Sequence, residues 1–416
     1  MAIDVKSYGA KGDGIQDDTI YINSAITAAI VSKQDLFISE GTYLCNTFTS
    51  GSHELLLNQN GTKKIRIYGE ANTKITTSQP SGSTFYVYYS TVDTTIENIF
   101  FENTHPITSA QTNAIVLAGL AQNAIKNFTI KNCRFEGFST AISAQGVVGL
   151  NIINNQFASP LGHDNAQNNV QPAVFIWLAD NANGQCFDVN ISNNVANGYS
   201  GVDITKTTTR LPMDGFVYGT AYGIKINGNT TRNLGQEHIS VAPQSTFPIL
   251  NYPVLIEDNI IYQTIPTGCT LTSNYGIRAD CNNVTIKDNN LYDYSLGILV
   301  YPYQYPTLKQ HSYFISGNKF FSPRSSYYNV LEAIKIQGST NNAACNIVVS
   351  DNFVDIDGVT MQSSRSAISI YNASKVNIKN NTVYAQNVVL NGFTLGDFLI
   401  SNCNNVTDQN NASVLV

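Results

Sequence analysis

One short motif repeats along most of this chain and restricts its fold more than any other feature. It reads Ile or Val, any residue, then Asn, Asp or Gly, then Asn, with an apolar residue two places on. The second Asn falls at Asn155, Asn194, Asn229, Asn259, Asn289, Asn318, Asn352 and Asn381, and Cys133 takes the same slot one turn earlier. Successive spacings are 22, 39, 35, 30, 30, 29, 34 and 29 residues. Each match follows a short alternating run, such as VTIKDNNLY or VNIKNNTV, and alternation of period two means a strand with one buried face. Between matches lies a second run of Gly or Ala, Ile, any residue and an apolar residue, as in GIRAD, GILVY and AIKIQ. Strands without helices at this period describe a solenoid whose equivalent positions stack about 4.8 Å apart. The repeated Asn belongs to that architecture, because at a tight bend its amide bonds backbone groups and stacks on its counterpart in the next coil.

A length of 416 residues therefore does not imply several domains, since solenoids grow by adding coils. The expected layout is an N-terminal cap at 1–60, coils over 61–405, about ten in all, and a tail or cap at 406–416. The composition is 43% hydrophobic and only 12% charged, enough for a long core with a neutral polar surface. A net charge of -6 supplies no basic stripe for nucleic acid. No run is long and apolar enough for membrane insertion, and the N-terminus lacks the pattern of a signal peptide. Seven widely spaced cysteines without a CxxC pair argue for packing rather than a metal site or a disulfide framework, and no cofactor is expected.

The N-terminal segment, Asp4-Val-Lys-Ser-Tyr-Gly-Ala-Lys-Gly-Asp-Gly-Ile-Gln-Asp-Asp-Thr19, precedes a helical run from Ile20 to Ile30 and then Leu36-Phe-Ile-Ser-Glu-Gly-Thr-Tyr43. It resembles the opening of pectate-lyase-superfamily proteins, including phage tailspike depolymerases and related lyases, hydrolases and epimerases. The resemblance implies an all-β, right-handed parallel β-helix with a short capping helix and a polysaccharide substrate. It also implies an extracellular or virion-associated setting. A tailspike-like protein would be a homotrimer, although no trimerising segment is evident after residue 405. Asp17 and Asp18 read as turn-forming and capping residues rather than a catalytic pair, with Asp18 the N-cap of the helix.

Stacking the second strand on Ile142, Val174, Val202, Ile239, Ile277, Ile298, Ile334 and Ile368 as inward positions yields the candidate site. The first outward column then contains Phe175, Asp203, Ser240 and Arg278, and the next contains Trp177, Asp280 and Tyr301. The position before each Ile is small apart from His238, which suggests a shallow trough. Long loops at Ser159 to Gln171, Thr207 to Ala221 and Pro243 to Tyr252 would wall it. Candidate catalytic residues are Asp203, Glu237, Asp280 and His238; candidate substrate-binding residues are Phe175, Trp177, Lys206, Arg278, Tyr301 and Tyr303. Aromatic rings stack on sugars, and carboxylates supply acid, base or nucleophile.

Three readings follow. A glycoside hydrolase would use two of the carboxylates on bacterial capsule, exopolysaccharide or O-antigen. A lyase or epimerase would neutralise a uronate with Arg278 or Lys206 and abstract its proton with His238 or Tyr301. A non-catalytic appendage would bind carbohydrate without releasing product. The first is the main expectation.

Overall fold

The computed structural model describes residues 2–59, 64–105, 111–158, 174–179, 184–198, 215–219, 221–242, 253–263, 275–281, 283–301, 311–321, 332–338, 345–358, 365–388, 395–401 and 403–415. They fall into two compact units, Met1–Ile224 and Lys225–Val416. The coils of both units contribute short strands to three parallel sheets, and the first and last described coils reach only the first two. One coil of the second unit reads Tyr275–Ala279 in the third sheet, Val284–Lys287 in the first and Asn290–Tyr292 in the second. The protein is a parallel β-helix.

The alternation seen in the sequence produces the core directly. In the first sheet of the second unit, Ile256, Ile286, Ile315, Val349 and Ile378 stand in register and are fully buried. Each such side chain contributes about 1.5–3 kcal/mol of burial. The same rule operates in the first unit, where Ile96, Ile130, Ile152 and Ile191 form the corresponding stack.

The Asn motif marks the bend between the first and second sheets. Its first residue adopts left-handed backbone geometry, with φ of 57° at Asn154, 56° at Asp288, 59° at Asp351 and 67° at Gly317. That explains why only Asn, Asp or Gly stands there. The second Asn is buried and ties three coils together. Asn289 Nδ2 donates to Ile256 O (3.1 Å), Lys287 O (3.0 Å) and Asn318 Oδ1 (2.9 Å), while its backbone N–H donates to Asn318 Oδ1 (3.1 Å). This ladder continues past the last sequence match to Asn411, which accepts from Asn381. Strands Asn404–Gln409 and Ala412–Leu415 extend the first and second sheets into the segment expected to form a tail or cap.

At the N-terminus the α-helix Thr19–Ser32 packs against the first coils, with Ile22, Ala25, Ile26 and Ala29 buried. The expected role of Asp18 needs correction. It occupies the N-cap position but makes no side-chain cap bond. Its carboxylate instead accepts from Lys11 N, Gly12 N and Gln16 Nε2, holding the turn at Gly12. The cap bond comes from Asp17, whose Oδ1 accepts from Thr19 N at 3.1 Å. Both carboxylates are thus committed to local structure.

Candidate active site

The third sheet carries the candidate site, and its local geometry differs from simple alternation. Register pairs Ile142 with Ile176 and Ser143 with Trp177, then Ile176 with Val217 and Trp177 with Tyr218. The inward residue of that coil is therefore Ile176, not Val174, and the next described strand of this sheet is Gly215–Gly219. Part of the Thr207 to Ala221 stretch expected as loop is accordingly strand. Asp203, Lys206 and Tyr303 lie outside the described residues.

The position before each inward Ile is also interior, because the chain turns a corner there and directs two consecutive side chains inward. A Cβ built on Gly276 would lie 2.5 Å from Leu291 Cδ2, which belongs to the interior of the second sheet. This corner column includes Glu54, Thr84, Ala114, Ala141, Phe175, Phe216 and His238, all buried. The small residues therefore form a packed inner corner, not a surface trough. Phe175, expected to face a ligand, lies in the core with its ring 5.5 Å from that of Phe157.

His238 moves inside for the same reason. Its Nδ1 lies 2.8 Å from Thr231 Oγ1, its Nε2 is buried without a partner, and burial lowers its pKa to about 3. It is a neutral interior imidazole and cannot serve as a groove-facing base. Glu54 is its counterpart in the first unit: Oε1 accepts from Thr77 Oγ1 at 2.5 Å, and burial raises the carboxyl to about 8.

What the second unit brings together on the outward face is Glu237, Arg278 and Asp280. Ile239 pairs with Ile277 as inward residues, and Ser240 pairs with Arg278 on the opposite face. Ser240, expected to be solvent-facing, is fully buried. Arg278 Nη1 donates to Glu237 Oε1 at 2.8 Å, and Nη2 and Nε donate to Asp280 Oδ2 at 2.7 and 2.9 Å. The side chain of Arg278 is 27% exposed, whereas those of Glu237 and Asp280 are 10% and 2% exposed. The triad is thus recessed, with the guanidinium as its accessible edge.

Burial works against the Arg278 charge, but the bond and field of Asp280, joined by Glu237, outweigh it and raise the guanidinium pKa. Burial raises the Asp280 carboxyl; Arg278 opposes this and Glu237 adds to it. Asp280 Oδ1 is buried without a partner. Tyr275, in register with Glu237, has its phenol pKa raised by burial and then by Glu237. Glu237 stands in register with Tyr275 while Asp280 lies further along the neighbouring strand, so the two carboxylates meet Arg278 from opposite ends of its guanidinium.

A second cluster on this face was not singled out from sequence. Glu332 Oε1 accepts from Ser369 Oγ at 2.8 Å, Lys335 Nζ lies 3.3 Å from Glu332 Oε2, and the ammonium stands 5.8 Å over Tyr371. In the sequence Lys335 and Ser369 fall in the outward column of Arg278 and Tyr371 in that of Asp280, but Glu332, which joins them, lies outside both columns. Tyr301, directly after the strand Leu296–Val300, is partly exposed. Trp177, in the first unit, faces outward as expected, with Nε1 buried and unpartnered. Among the described residues no cluster of His, Cys, Asp or Glu forms a metal site, and no helix is long and apolar enough to cross a membrane.

A family model for rhamnogalacturonase A/epimerase, pectate-lyase-like proteins matches residues 2–298, and the chain belongs to that family. Among solved structures it is similar to a surface adhesin of Streptococcus pneumoniae, at 15% identity over 100% of this chain and 90% of that one, with TM-score 0.62. The A-module of a mannuronan C-5 epimerase from Azotobacter vinelandii aligns at 15% identity over 97% and 99%, with TM-score 0.60. A tailspike-protein mutant of E. coli bacteriophage HK620 in complex with a pentasaccharide aligns at 11% identity over 98% and 80%, with TM-score 0.56. These likenesses establish the fold. A non-secreted LysM effector of Penicillium expansum is 50% identical over 44 residues, 11% of this chain and 4% of that protein.

Proposed function

We propose that the protein is a glycoside hydrolase acting on a bacterial surface polysaccharide, with Asp280 as general acid and Glu237 as the second carboxylate. The observation that carries this reading is the pairing of both carboxylates across Arg278 on the outward face of one sheet. Burial holds the Asp280 proton more tightly than usual, which suits an acid that protonates a leaving group. Arg278 holds both carboxylates in place and offsets the charge of Glu237. Membership of a family described by a rhamnogalacturonase and an epimerase, and a fold shared with a tailspike holding a pentasaccharide, support a carbohydrate polymer as substrate. They support an extracellular or virion-associated setting, and a homotrimer is proposed on the tailspike likeness alone.

The lyase or epimerase reading has less support at this site. Both ends of the Arg278 guanidinium are taken by protein carboxylates, leaving it a poor partner for a uronate, and His238 is interior. The deciding experiment incubates the protein with capsular and plant polysaccharides and follows new reducing ends against the ultraviolet absorbance of unsaturated sugars. Reducing ends without unsaturation, lost in Asp280→Asn and Glu237→Gln, are expected. Unsaturated product would overturn the hydrolase reading, and binding without either product would assign the site to adhesion.

A further inference from the structure

The first unit carries another outward face of the third sheet, and among the described residues no charged side chain contributes to it. Its strands are His53–Leu57, Gly82–Tyr88, Thr112–Ala118, Thr140–Gln145, Val174–Leu178 and Gly215–Gly219. Their one charged residue, Glu54, points into the core. The central outward column runs in register through Leu56, Tyr86, Val116, Ser143, Trp177 and Tyr218.

Rings stand at both ends of this column and small side chains between them. At one end His53 stacks on Tyr86 with centroids 3.8 Å apart, and Tyr88 meets Tyr86 edge-on at 4.9 Å. At the other, Trp177 and Tyr218 are direct neighbours on adjacent strands. Three strand steps separate Tyr86 from Trp177, roughly 14 Å. Val116 and Ser143 leave the intervening floor low, while Ala118 and Gln145 continue beside them. Two polar atoms on this face are buried without partners: Trp177 Nε1, a donor, and Asn113 Oδ1, an acceptor.

We propose that this face is a binding track for an uncharged stretch of polysaccharide, held by stacking on Tyr86 at one end and Trp177 at the other, apart from any cleavage. The proposal rests on the carbohydrate reading above for the class of ligand only. Among the described residues of this face no Lys or Arg is available to neutralise a uronate, so its charge favours neutral sugars. The rings supply the apolar faces that pyranose C–H groups cover.

Trp177 is the sole tryptophan of the chain, so its emission reports on the track directly. Asp280→Asn protein, which keeps the probe intact, is titrated with dextran, mannan, galactan and arabinan, and separately with sodium alginate and sodium polygalacturonate. At least one neutral polymer should shift or quench the emission. Tyr86→Ala should weaken that polymer by at least about fivefold, the scale of one lost ring stack, and Tyr86→Phe should restore it. Silence with every neutral polymer, tighter binding of the acidic pair, or unchanged affinity in Tyr86→Ala would each overturn the track. These outcomes are independent of the cleavage reading, which is decided by the products released and by the turnover of Asp280→Asn and Glu237→Gln.

Discussion

The outward face of the third sheet is built twice, once in each unit, with opposite chemistry. In the first unit it presents His53, Tyr86, Tyr88, Trp177 and Tyr218 and, among the described residues, no ion pair. In the second it presents Glu237, Arg278 and Asp280, then Glu332 and Lys335. The interiors are alike, with the same stacked aliphatic residues and the same inward corner. A β-helix separates these roles because inward positions must repeat to fill a continuous core, whereas outward positions in neighbouring coils are free to differ. One face can therefore stack sugars while the other arranges charge.

The largest expected effect is on the shared frame rather than on either face. Ile286→Ala or Ile315→Ala should cost roughly 2 to 5 kcal/mol, because each fills a dry interior with little room to collapse. Asn289→Ala should cost about 2 to 4 kcal/mol by orphaning buried groups on three coils. Denaturant melts check both, and a loss under about 0.5 kcal/mol for all three variants would show that the stack does not carry the fold.

Next in size, Asp280→Asn and Glu237→Gln should each lower turnover by at least about 100-fold, the usual scale of acid-base participation. The melting temperature measured alongside separates lost chemistry from an unbalanced ion triad. Full turnover in both variants would remove the second-unit face from catalysis and with it half of the comparison.

The two corners give a smaller, signed contrast. Folded Glu54 has its pKa raised to about 8 from 4.5, so it holds its proton more tightly than the unfolded chain does. Its stabilisation is complete below about pH 4.5 and is lost as pH rises toward 8. His238 is lowered to about 3 from 6.5, so its contribution is complete above about pH 6.5 and is lost as pH falls toward 3. Glu54→Gln should flatten the alkaline limb of the stability profile and His238→Gln the acid limb. Thermal melts across pH check this, and limbs unchanged in both variants would mean that the corners do not titrate as placed. The smallest effect belongs to Lys379→Ala on the first sheet, outside both faces, which should leave turnover and sugar binding within about twofold.

Much of the frame was legible in the chain. Period two separated inward from outward residues, and the Asn ladder announced itself because a left-handed bend admits few residue types and a buried amide must satisfy its partners. Arg278 and Asp280 were found because they stand in a well-aligned run after Gly276 and Ile277. Phe175 and His238 were misplaced because alternation assigns one inward residue where the corner assigns two, a fact of backbone direction that spacing does not encode. Trp177 was assigned outward, but its true neighbours, Ser143 and Tyr218, required the register of Gly215–Gly219, which a competing Gly-Val-Asp-Ile run obscured. The sequence by itself determined that a coil exists and what fills it, because every coil repeats the same burial problem. Only the tertiary structure decided which side chains meet across coils, since Glu237 and Arg278 are 41 residues apart and touch only when the strands between them are counted correctly.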